Sequence, residues 1–378
     1  MKILLFANTD WYLYNFRLAL AEALRSRGDH VVLVSPEGAY APRLQELGFR
    51  WVCFPLKRRG LNPLDEVWTL VRLFKLYRRE NPDLVHHFTV KCVLYGSLVC
   101  HLLGIRRVVN SITGLGYVFT EGDGARTWLR GLIKVFYRLI LRRTWVIFQN
   151  PTDEALFLKN ELVERDRVAL IQGSGVDTRL FSPQPEPDGP PLAILPARLL
   201  WDKGVGEFVE AAKRLKTEGL RARFALVGDS DPDNPAGVPA AQVKLWEKEG
   251  MVEWWGWRSD MAAVYAQAHI VCLPSYYREG MSKTLIEAAA CGRPIITCNV
   301  PGCREVVQPG ISGLLVPPRN APALAEAMKR LIQNPDERKS MGAFGRKIAE
   351  DEFSMELVLS QTLAVYECIR SNQREAEL

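Results

Sequence analysis

The chain has 378 residues, of which 48% are hydrophobic, 10% aromatic and 24% charged, and its formal net charge is +6 at pH 7. This length exceeds one ordinary domain and predicts two, each with enough apolar residues for its own core. Uncharged stretches such as residues 92–105 are too short to span a bilayer. The opening run lacks the long apolar core and cleavage site of a signal peptide, so we expect neither a transmembrane nor a secreted protein.

Positive charge is concentrated in the N-terminal half. Residues 1–177 carry 25 Lys and Arg against 17 Asp and Glu, a net +8, whereas residues 178–378 carry 24 against 26, a net −2. No recognised nucleic-acid module is present, and the basic residues alternate with large apolar ones. This mixture favours an anionic membrane surface over nucleic acid as a partner.

The cysteines indicate neither disulfides nor a metal site. They lie mostly inside apolar runs, without a C-x-x-C pair or another metal-ligand spacing, at positions 53, 92, 100, 272, 291, 298, 303 and 368. We therefore expect reduced thiols in a cytoplasmic protein.

The N-terminal half alternates strands and helices. Short apolar runs predict strands at residues 2–7, 30–35, 51–55, 84–87, 107–112 and 145–149. Amphipathic stretches predict helices near residues 15–27, 41–48, 63–80 and 94–103. This β-α-β rhythm predicts an α/β domain with a doubly wound parallel sheet.

A cluster of Pro, Gly and acidic residues at 184–191 predicts a linker between an N-terminal domain, 1–183, and a C-terminal domain, 192–354. After it the pattern restarts, with strands predicted at 192–196, 223–227, 252–255, 271–275 and 313–316, and helices near 205–218, 240–249 and 321–332. A second doubly wound domain is therefore expected. The terminal segment, 355–378, is helical in pattern and is expected to pack back on the first domain.

Two carboxylates, Glu279 and Glu287, stand eight positions apart after the strand predicted at 271–275. Gly280 and Ser282 are typical of a loop that enters a helix, and free N-H groups at a helix start suit phosphate. Glu287 falls about one and a half turns inside that helix, within reach of sugar or ribose hydroxyls. The carboxyl end of a parallel strand is where α/β sheets bind ligands, so this pattern predicts a nucleotide-sugar site.

Three motifs follow one another in the C-terminal half: residues 197–204 (Ala-Arg-Leu-Leu-Trp-Asp-Lys-Gly), residues 279–288 with both glutamates, and the closing pattern at 302–306 and 310–315. Their order and spacing resemble those of the retaining glycosyltransferases of family 4, which have the two-domain GT-B fold. The resemblance covers essentially the whole chain. It implies that a nucleoside-diphosphate sugar binds between the two domains.

The resemblance assigns four charged residues to the donor. Arg198 and Lys203 would bind the diphosphate, where two fixed cations stabilise the leaving group without a metal or another cofactor. Glu279 would hold hydroxyls of the transferred sugar, and Glu287 would hold the ribose. Glu279, Arg198 and Lys203 are the candidate catalytic residues.

Further donor-site positions follow from the same motifs. Gly280 and the N-H groups of Met281 and Ser282 would adjoin the transferred sugar. Relatives often carry an aromatic residue and a proline where this chain has Met281 and Ser282, so sugar specificity does not carry over. Gly228 and Arg258 match positions that border the nucleotide; a turn glycine and a surface arginine are the alternatives.

The N-terminal half resembles enzymes that extend polyprenyl-diphosphate-linked glycans in bacterial O-antigen, capsule or protein-glycosylation pathways. The resemblance lies in Thr-Val-Lys at 89–91, Tyr-Gly at 95–96 and the run 113–119. The candidate acceptor or cleft residues are Lys91, Thr113, Gly114, Gly116 and His87. Relatives often place a histidine where this chain has Thr113, so no protein base is assigned, and His87 is either a cleft residue or a histidine that merely ends a strand.

Residues 125–152 contain no acid, and basic residues recur there every four positions. The candidate membrane-facing residues are Arg126, Trp128, Arg130, Lys134 and Arg138. Basic heads among aromatic and aliphatic neighbours suit an interfacial helix. The alternative is an ordinary amphipathic helix that packs on the sheet, and both interpretations can hold together. The first one predicts peripheral association with the inner face of the bacterial plasma membrane.

The expected function is transfer of a hexose or N-acetylhexosamine from a UDP-sugar to a polyprenyl-diphosphate-linked saccharide, with retention of configuration. The resemblance implies a mechanism in which a donor phosphate oxygen accepts the proton of the acceptor hydroxyl. A glycosyltransferase with a soluble acceptor is one alternative. A UDP-sugar epimerase of the same fold is another, although the basic N-terminal half argues against its acidic cleft. UDP is the usual donor nucleotide in the resembling subfamily, and GDP is the other candidate.

Overall fold

The computed structural model describes residues 1–57, 62–114, 127–232, 234–277 and 280–374, with backbone alone at 127–133 and 372–374. The chain divides into two compact units. Unit 1 runs from Met1 to Ser174 and includes the C-terminal residues from Glu356 onward, and unit 2 runs from Gly175 to Met355.

Unit 1 contains a seven-stranded parallel sheet in the order β3-β2-β1-β4-β5-β6-β7. Its strands are β1 (Lys2–Phe6), β2 (His30–Ser35), β3 (Arg50–Cys53), β4 (Leu84–Phe88), β5 (Val108–Ile112), β6 (Trp145–Phe148) and β7 (Val168–Leu170). Every residue of β4 and β5 is buried, as expected for strands covered on both faces.

Within the described residues of unit 1, seven α-helices lie between these strands. They are α1 (Asp10–Tyr12), α2 (Leu18–Ser26), α3 (Ala41–Glu46), α4 (Pro63–Glu80), α5 (Val90–Leu103), α6 (Thr127–Leu141) and α7 (Pro151–Lys159). A π turn joins α1 to α2. Local sequence sets the ends of α4: the Asn62 side chain accepts a hydrogen bond from Leu64 N, Pro63 occupies the first turn, and Asn81 ends the helix in a left-handed conformation.

Unit 2 contains a six-stranded parallel sheet in the order β10-β9-β8-β11-β12-β13. Its strands are β8 (Leu192–Pro196), β9 (Arg223–Val227), β10 (Glu253–Trp254), β11 (Ile270–Leu273), β12 (Ile295–Cys298) and β13 (Gly313–Val316). Its helices are α8 (Val205–Thr217), α9 (Ala240–Lys248), α10 (Met261–Gln267), α11 (Lys283–Ala290), α12 (Ala321–Gln333) and α13 (Pro335–Phe353). Two core clusters in unit 2 pack side chains of these helices against the sheet.

The predicted α/β class, with two doubly wound sheets, is confirmed. In each sheet the strand order reverses once, between β1 and β4 in unit 1 and between β8 and β11 in unit 2. Ligands of open α/β sheets bind outside the carboxyl ends of the strands at such a reversal. The fold therefore marks one candidate site on each unit.

The linker predicted at 184–191 is wrong, because this segment packs on unit 2. Glu186 forms an ion pair with the buried Arg338, at 2.7 Å from Nε. The Arg293 guanidinium donates to the carbonyl oxygens of Gln184 and, at 3.4 Å, Pro185. Arg293 thus satisfies carbonyls of this proline-rich run, Arg338 pairs with its carboxylate, and the division of the chain falls earlier, after Ser174.

The last helix, α14 (Met355–Arg374), returns to unit 1. It contributes Val358, Val365, Tyr366 and Ile369 to the core cluster that contains the side chains of β1. The Tyr366 hydroxyl lies 2.6 Å from Nδ1 of the buried His86.

Candidate functional site

Residues predicted to bind a donor meet at one edge of the unit 2 sheet. Arg198 follows β8, Gly228 follows β9, Arg258 follows β10, and Gly280 precedes α11 in the loop after β11. The carboxyl ends of parallel strands share an edge, so the sheet order places these segments on both sides of the β8/β11 reversal.

The segment that carries Lys203 packs against the loop after β11 and is hydrogen-bonded to it. Lys203 ends a 3-10 turn, and Gly204 follows with φ +76°. A Cβ atom on Gly204 would lie 2.3 Å from the carbonyl oxygen of Pro274, so only glycine fits there. The carbonyl of Asp202 accepts hydrogen bonds from Tyr276 N at 3.0 Å and, at 3.1 Å, Ser275 Oγ.

Arg198 is the most exposed of the predicted diphosphate ligands, and it has a protein partner. Its side chain is 57% exposed, and Nη1 donates to Oδ2 of Asp231 at 3.0 Å. Asp231 lies in the loop after β9 and was not predicted from the sequence.

The structure gives local roles to the two positions left open by the sequence. Gly228 has φ +145°, and a Cβ atom there would lie 1.9 Å from the carbonyl oxygen of Ala197, so the main chain requires glycine. The Arg258 guanidinium donates to both carboxylate oxygens of Asp260, at 2.7 and 2.5 Å. This hydrogen bonding raises the pKa of Arg258.

The start of α11 differs from the expectation in one respect. The backbone N-H of Ser282 donates to the carbonyl oxygen of Gly302 at 2.8 Å, so it is not an open donor for a ligand. Met281 packs against the unit 2 core, and Gly280 is buried. Glu279 lies outside the described residues.

Glu287 is a buried carboxylate with two neighbours. It is 9% exposed, and Oε2 accepts a hydrogen bond from the Tyr265 hydroxyl at 3.1 Å. Oε1 lies 3.8 Å from Nζ of Lys283. Burial raises the pKa of Glu287 above its ordinary value, although Lys283 and Tyr265 act in the opposite direction. Tyr265, which the sequence analysis did not select, fixes this carboxylate in place.

One predicted acceptor residue of unit 1 is not at a surface. The His87 side chain is fully buried, and its ring nitrogens contact Tyr77 Oη at 3.0 Å and Asn110 Oδ1 at 2.8 Å. A Cβ atom on Gly96 would lie 2.2 Å from His87 Nε2, which shows how closely α5 covers the ring. Burial lowers the pKa of His87 to about 4. The assignment of His87 to an acceptor cleft is therefore wrong, and it serves as a neutral core histidine.

The other acceptor candidates lie at or beyond strand ends. Lys91, in the first turn of α5, pairs with Glu66 Oε1 at 2.7 Å, and its Nζ also donates to the Lys57 carbonyl at 2.9 Å. Thr113 and Gly114 follow β5, where Gly114 has φ +128°. Gly116 lies outside the described residues.

The basic residues of α6 have structural contacts. Lys134 Nζ donates to Asn160 Oδ1 at 2.8 Å, and Arg138 donates to the carbonyl oxygens of Asn160 and Glu161 at 3.0 and 2.9 Å. These bonds satisfy carbonyls that follow the end of α7. Lys134 and Arg138, which were predicted to face a membrane, thus also contact the segment after α7, and Arg138 stays 54% exposed.

The structure describes little of the other candidate membrane-facing residues. Arg126 lies outside the described residues, and Trp128 and Arg130 belong to α6 at positions whose side chains are not described. Tyr137, Ile140 and Leu141 pack in a core cluster of unit 1, as the amphipathic-helix alternative expects. The same helix also exposes large apolar side chains, namely Val135, Phe136 and Leu139.

Comparison with known proteins decides the family. A family described as "Glycosyl transferase 4-like" matches residues 2–150, and one described as "Glycosyl transferases group 1" matches residues 190–334. An MMP alpha-(1->4)-mannosyltransferase of Mycolicibacterium hassiacum is 30% identical over 77% of this chain and 71% of its own length. The chain belongs to the group 1, family 4-like glycosyltransferases.

Two further glycosyltransferases are similar to this chain. An N,N'-diacetylbacillosaminyl-diphospho-undecaprenol alpha-1,3-N-acetylgalactosaminyltransferase of Campylobacter jejuni is 27% identical over 98% of this chain and 100% of its own. A UDP-Gal:alpha-D-GlcNAc-diphosphoundecaprenol alpha-1,3-galactosyltransferase of Escherichia coli is 24% identical over 74% of each chain.

Solved structures of glycosyltransferases share the fold. A glycosyltransferase of Rickettsia africae superimposes with a TM-score of 0.78 at 20% identity, covering 98% of this chain and 99% of that one. Anabaena HepE in complex with UDP gives a TM-score of 0.77 at 18% identity, covering 97% and 100%. These likenesses confirm the predicted GT-B architecture.

No described helix is long and apolar enough to cross a membrane. No group of three or more His, Cys, Asp or Glu side chains is placed to hold a metal ion in the parts of the chain that the structure describes.

We expect the buried Glu287 carboxylate to lower the free energy of unfolding at neutral pH. Because its pKa is raised in the folded state, folding becomes less favourable as pH rises from the unfolded pKa, about 4.3, through the folded one. Glu287→Gln should therefore raise the free energy of unfolding at pH 7, by on the order of 1 kcal/mol. Below pH 4 the gain should disappear. Urea denaturation at both pH values measures this difference.

Tyr265→Phe is the matched control for that experiment. It keeps the ring but removes the hydroxyl that donates to Glu287, so it should lower stability at pH 7. Equal stability of Glu287→Gln and the parent at pH 7 would contradict an energetic cost of this carboxylate.

Proposed function

We propose that this protein transfers a hexose or N-acetylhexosamine from a UDP-sugar to a polyprenyl-diphosphate-linked saccharide, with retention of anomeric configuration and without a metal. The observation that carries the proposal is the arrangement at the carboxyl edge of the unit 2 sheet. Arg198, Lys203 and Glu287 follow β8 and β11, which flank the reversal of strand order. Cations and a buried carboxylate at this place suit the diphosphate and the ribose of a nucleotide sugar.

In the proposed reaction, the protein acts mainly by stabilising the donor diphosphate as it leaves. As the bond between the sugar and the phosphate breaks, negative charge collects on the leaving group. Arg198 and Lys203 would stabilise that charge as fixed cations, in the role that a metal ion has in other enzymes. Glu287, oriented by Tyr265, would accept hydrogen bonds from the ribose, and Glu279 would hold hydroxyls of the transferred sugar.

Two relatives support the choice of donor and acceptor. The names of the Campylobacter and Escherichia enzymes both describe transfer to a sugar on diphospho-undecaprenol, and the second names UDP-galactose as its donor. The fold of HepE was solved with UDP bound. These names support a UDP-sugar donor and a lipid-linked acceptor for this chain.

The same names, together with general chemistry, support the proposal of retention. Both relatives are described as forming alpha-1,3 linkages, and the common UDP-hexoses carry the diphosphate in the α configuration. An α product therefore keeps the donor's configuration. We propose that the acceptor hydroxyl approaches the face that the diphosphate leaves and gives its proton to a phosphate oxygen, so that no protein base is needed.

A lipid-linked acceptor requires access to a membrane, and unit 1 has a surface suited to it. The α4 helix exposes an apolar stripe with helical spacing: Leu64, Val67, Trp68 and Val71 are 71%, 58%, 62% and 38% exposed. Basic residues of the same helix are also exposed, namely Arg72, Lys75, Arg78 and Arg79. An exposed apolar stripe beside cations fits the interface of an anionic bilayer.

Neighbouring helices extend this surface. α4 packs against α5, and α5 packs against α6. Leu102 of α5 is 67% exposed, and Val135 and Leu139 of α6 are 56% and 61% exposed. We therefore propose that the protein works at the inner face of the bacterial plasma membrane, bound peripherally through these helices.

The donor assignment predicts metal-independent turnover of one nucleotide sugar. A panel of UDP-, GDP- and ADP-sugars is tested for binding and hydrolysis with EDTA present. Lys203→Ala and Glu279→Gln should each lower the turnover of the bound donor by roughly 100-fold. Lys329→Ala is the matched control, because Lys329 pairs with Glu218 on an exposed surface of α12 and should be neutral. Failure of every sugar to bind would refute the donor site.

The membrane assignment predicts binding to anionic vesicles. Replacing Leu64 and Trp68 together by serine should weaken cosedimentation with phosphatidylglycerol vesicles at least about tenfold, since each side chain leaves an apolar environment. Leu245→Ser, at a 46% exposed position of α9 in unit 2, is the control. Unchanged vesicle binding in the double variant, with full activity on lipid-linked acceptors, would contradict the role of α4.

A further inference from the structure

The loop after β9 brings a carboxylate to the predicted diphosphate ligand Arg198. Asp231 Oδ2 accepts from Arg198 Nη1 at 3.0 Å. The two residues are 33 positions apart, and neither the motif at 197–204 nor its resemblance to known enzymes predicts the contact. Asp231 has no other role in the proposed reaction.

Main-chain hydrogen bonds hold both partners in register. Leu199 N donates to Asp229 O at 2.9 Å, and Val238 N donates to Leu199 O at 2.9 Å, so both sides of the loop pair with the segment after Arg198. Ser230 Oγ also donates to the carbonyl of Val238. The loop is therefore hydrogen-bonded to the segment at the edge of the sheet on both of its sides.

A tight turn fixes Asp231 within this loop. Its carbonyl oxygen accepts from Asn234 N at 3.0 Å. The same oxygen would lie 2.3 Å from a Cβ atom on Gly237, so the turn closes only because residue 237 is glycine. The backbone that carries the Asp231 carboxylate is thus held at a defined distance from Arg198.

The geometry of the Arg198–Asp231 pair is better suited to orienting the guanidinium than to neutralising its charge. The Asp231 carboxylate accepts a hydrogen bond from one guanidinium nitrogen of Arg198, Nη1. It does not bond the other N-H groups of the guanidinium. The arginine and aspartate side chains are 57% and 27% exposed, and an exposed pair of this kind adds little to stability. An arginine side chain carries a large rotamer entropy, and a fixed partner restricts it before a ligand arrives.

We propose that Asp231 is a positioning residue that holds the Arg198 guanidinium toward the donor diphosphate. The inference rests on the proposed function, since it takes Arg198 as the group that stabilises the leaving diphosphate. Because the charge develops in the transition state, an oriented arginine should act on kcat more than on donor affinity.

Two substitutions separate orientation from charge. Asp231→Ala removes the hydrogen-bond acceptor and should lower kcat between about tenfold and about 100-fold, because Arg198 loses its fixed position. Asp231→Asn keeps an acceptor oxygen without the charge and should stay within about threefold of the parent. Both variants should bind the UDP-sugar donor about as tightly as the parent in calorimetry, since the additional charge on the diphosphate develops only in the transition state.

The coupling to Arg198 is tested with a double variant. In the Arg198→Ala background, Asp231→Ala should lower kcat no further. Glu253→Ala is the control, because Glu253 pairs with Arg223 at the start of β9, the opposite end of the strand from the Asp231 loop. It should leave kcat unchanged.

Each outcome has one meaning. Weaker binding of the UDP-sugar by both Asp231 variants would indicate a merely structural loop and overturn the proposal, and so would equal losses of kcat in Asp231→Asn and Asp231→Ala. If Arg198→Ala impairs turnover but Asp231→Ala does not, this inference fails and the proposed function stands. If Arg198→Ala has no effect, or if the parent binds no UDP-sugar, the proposed function fails and this inference falls with it.

Discussion

The candidate site depends on two main-chain contacts that only glycine permits. At Gly228 a Cβ atom would lie 1.9 Å from the carbonyl oxygen of Ala197, and at Gly204 it would lie 2.3 Å from that of Pro274. Both glycines have positive φ. The first contact brings the loop after β9 against the segment after β8, and the second brings that segment against the loop after β11. The cations of the site are therefore fixed by backbone packing at the place where the sheet order reverses.

Three charged side chains of the described part of the site have protein partners in the absence of a ligand. Arg198 has Asp231, Arg258 has Asp260, and Glu287 has the hydroxyl of Tyr265. An unpaired buried charge is costly, so the Tyr265 hydroxyl offsets part of the cost of burying the Glu287 carboxylate. The two arginine pairs are exposed and exchange partners at small cost, whereas Glu287 is buried and keeps its donor. Binding of a diphosphate then replaces or extends existing contacts instead of creating order anew.

The sequence predicted most of the strands, because short apolar runs between turns are typical of buried parallel strands. It did not predict β7, whose residues are only partly buried or exposed. It did not predict α13, a largely polar stretch in which Gly342 lowers the helix propensity. The structure explains that residue: a Cβ atom at Gly342 would lie 2.0 Å from the carbonyl oxygen of Gly292. It also misplaced the linker, because composition does not reveal that Arg338 binds Glu186. Motifs located Arg198 and Glu287, but Asp231 and Tyr265 stand 33 and 22 positions from them, and only the fold brings such residues together.

The central claim is that a nucleotide diphosphate binds at the β8/β11 reversal of unit 2. A crystal structure of the full chain with UDP, grown in the presence of EDTA, tests it most directly. The account predicts that the diphosphate oxygens lie within hydrogen-bond distance of Arg198 and Lys203, with the ribose hydroxyls on the Glu287 carboxylate. A diphosphate bound elsewhere, or one held with neither cation in contact, would contradict it.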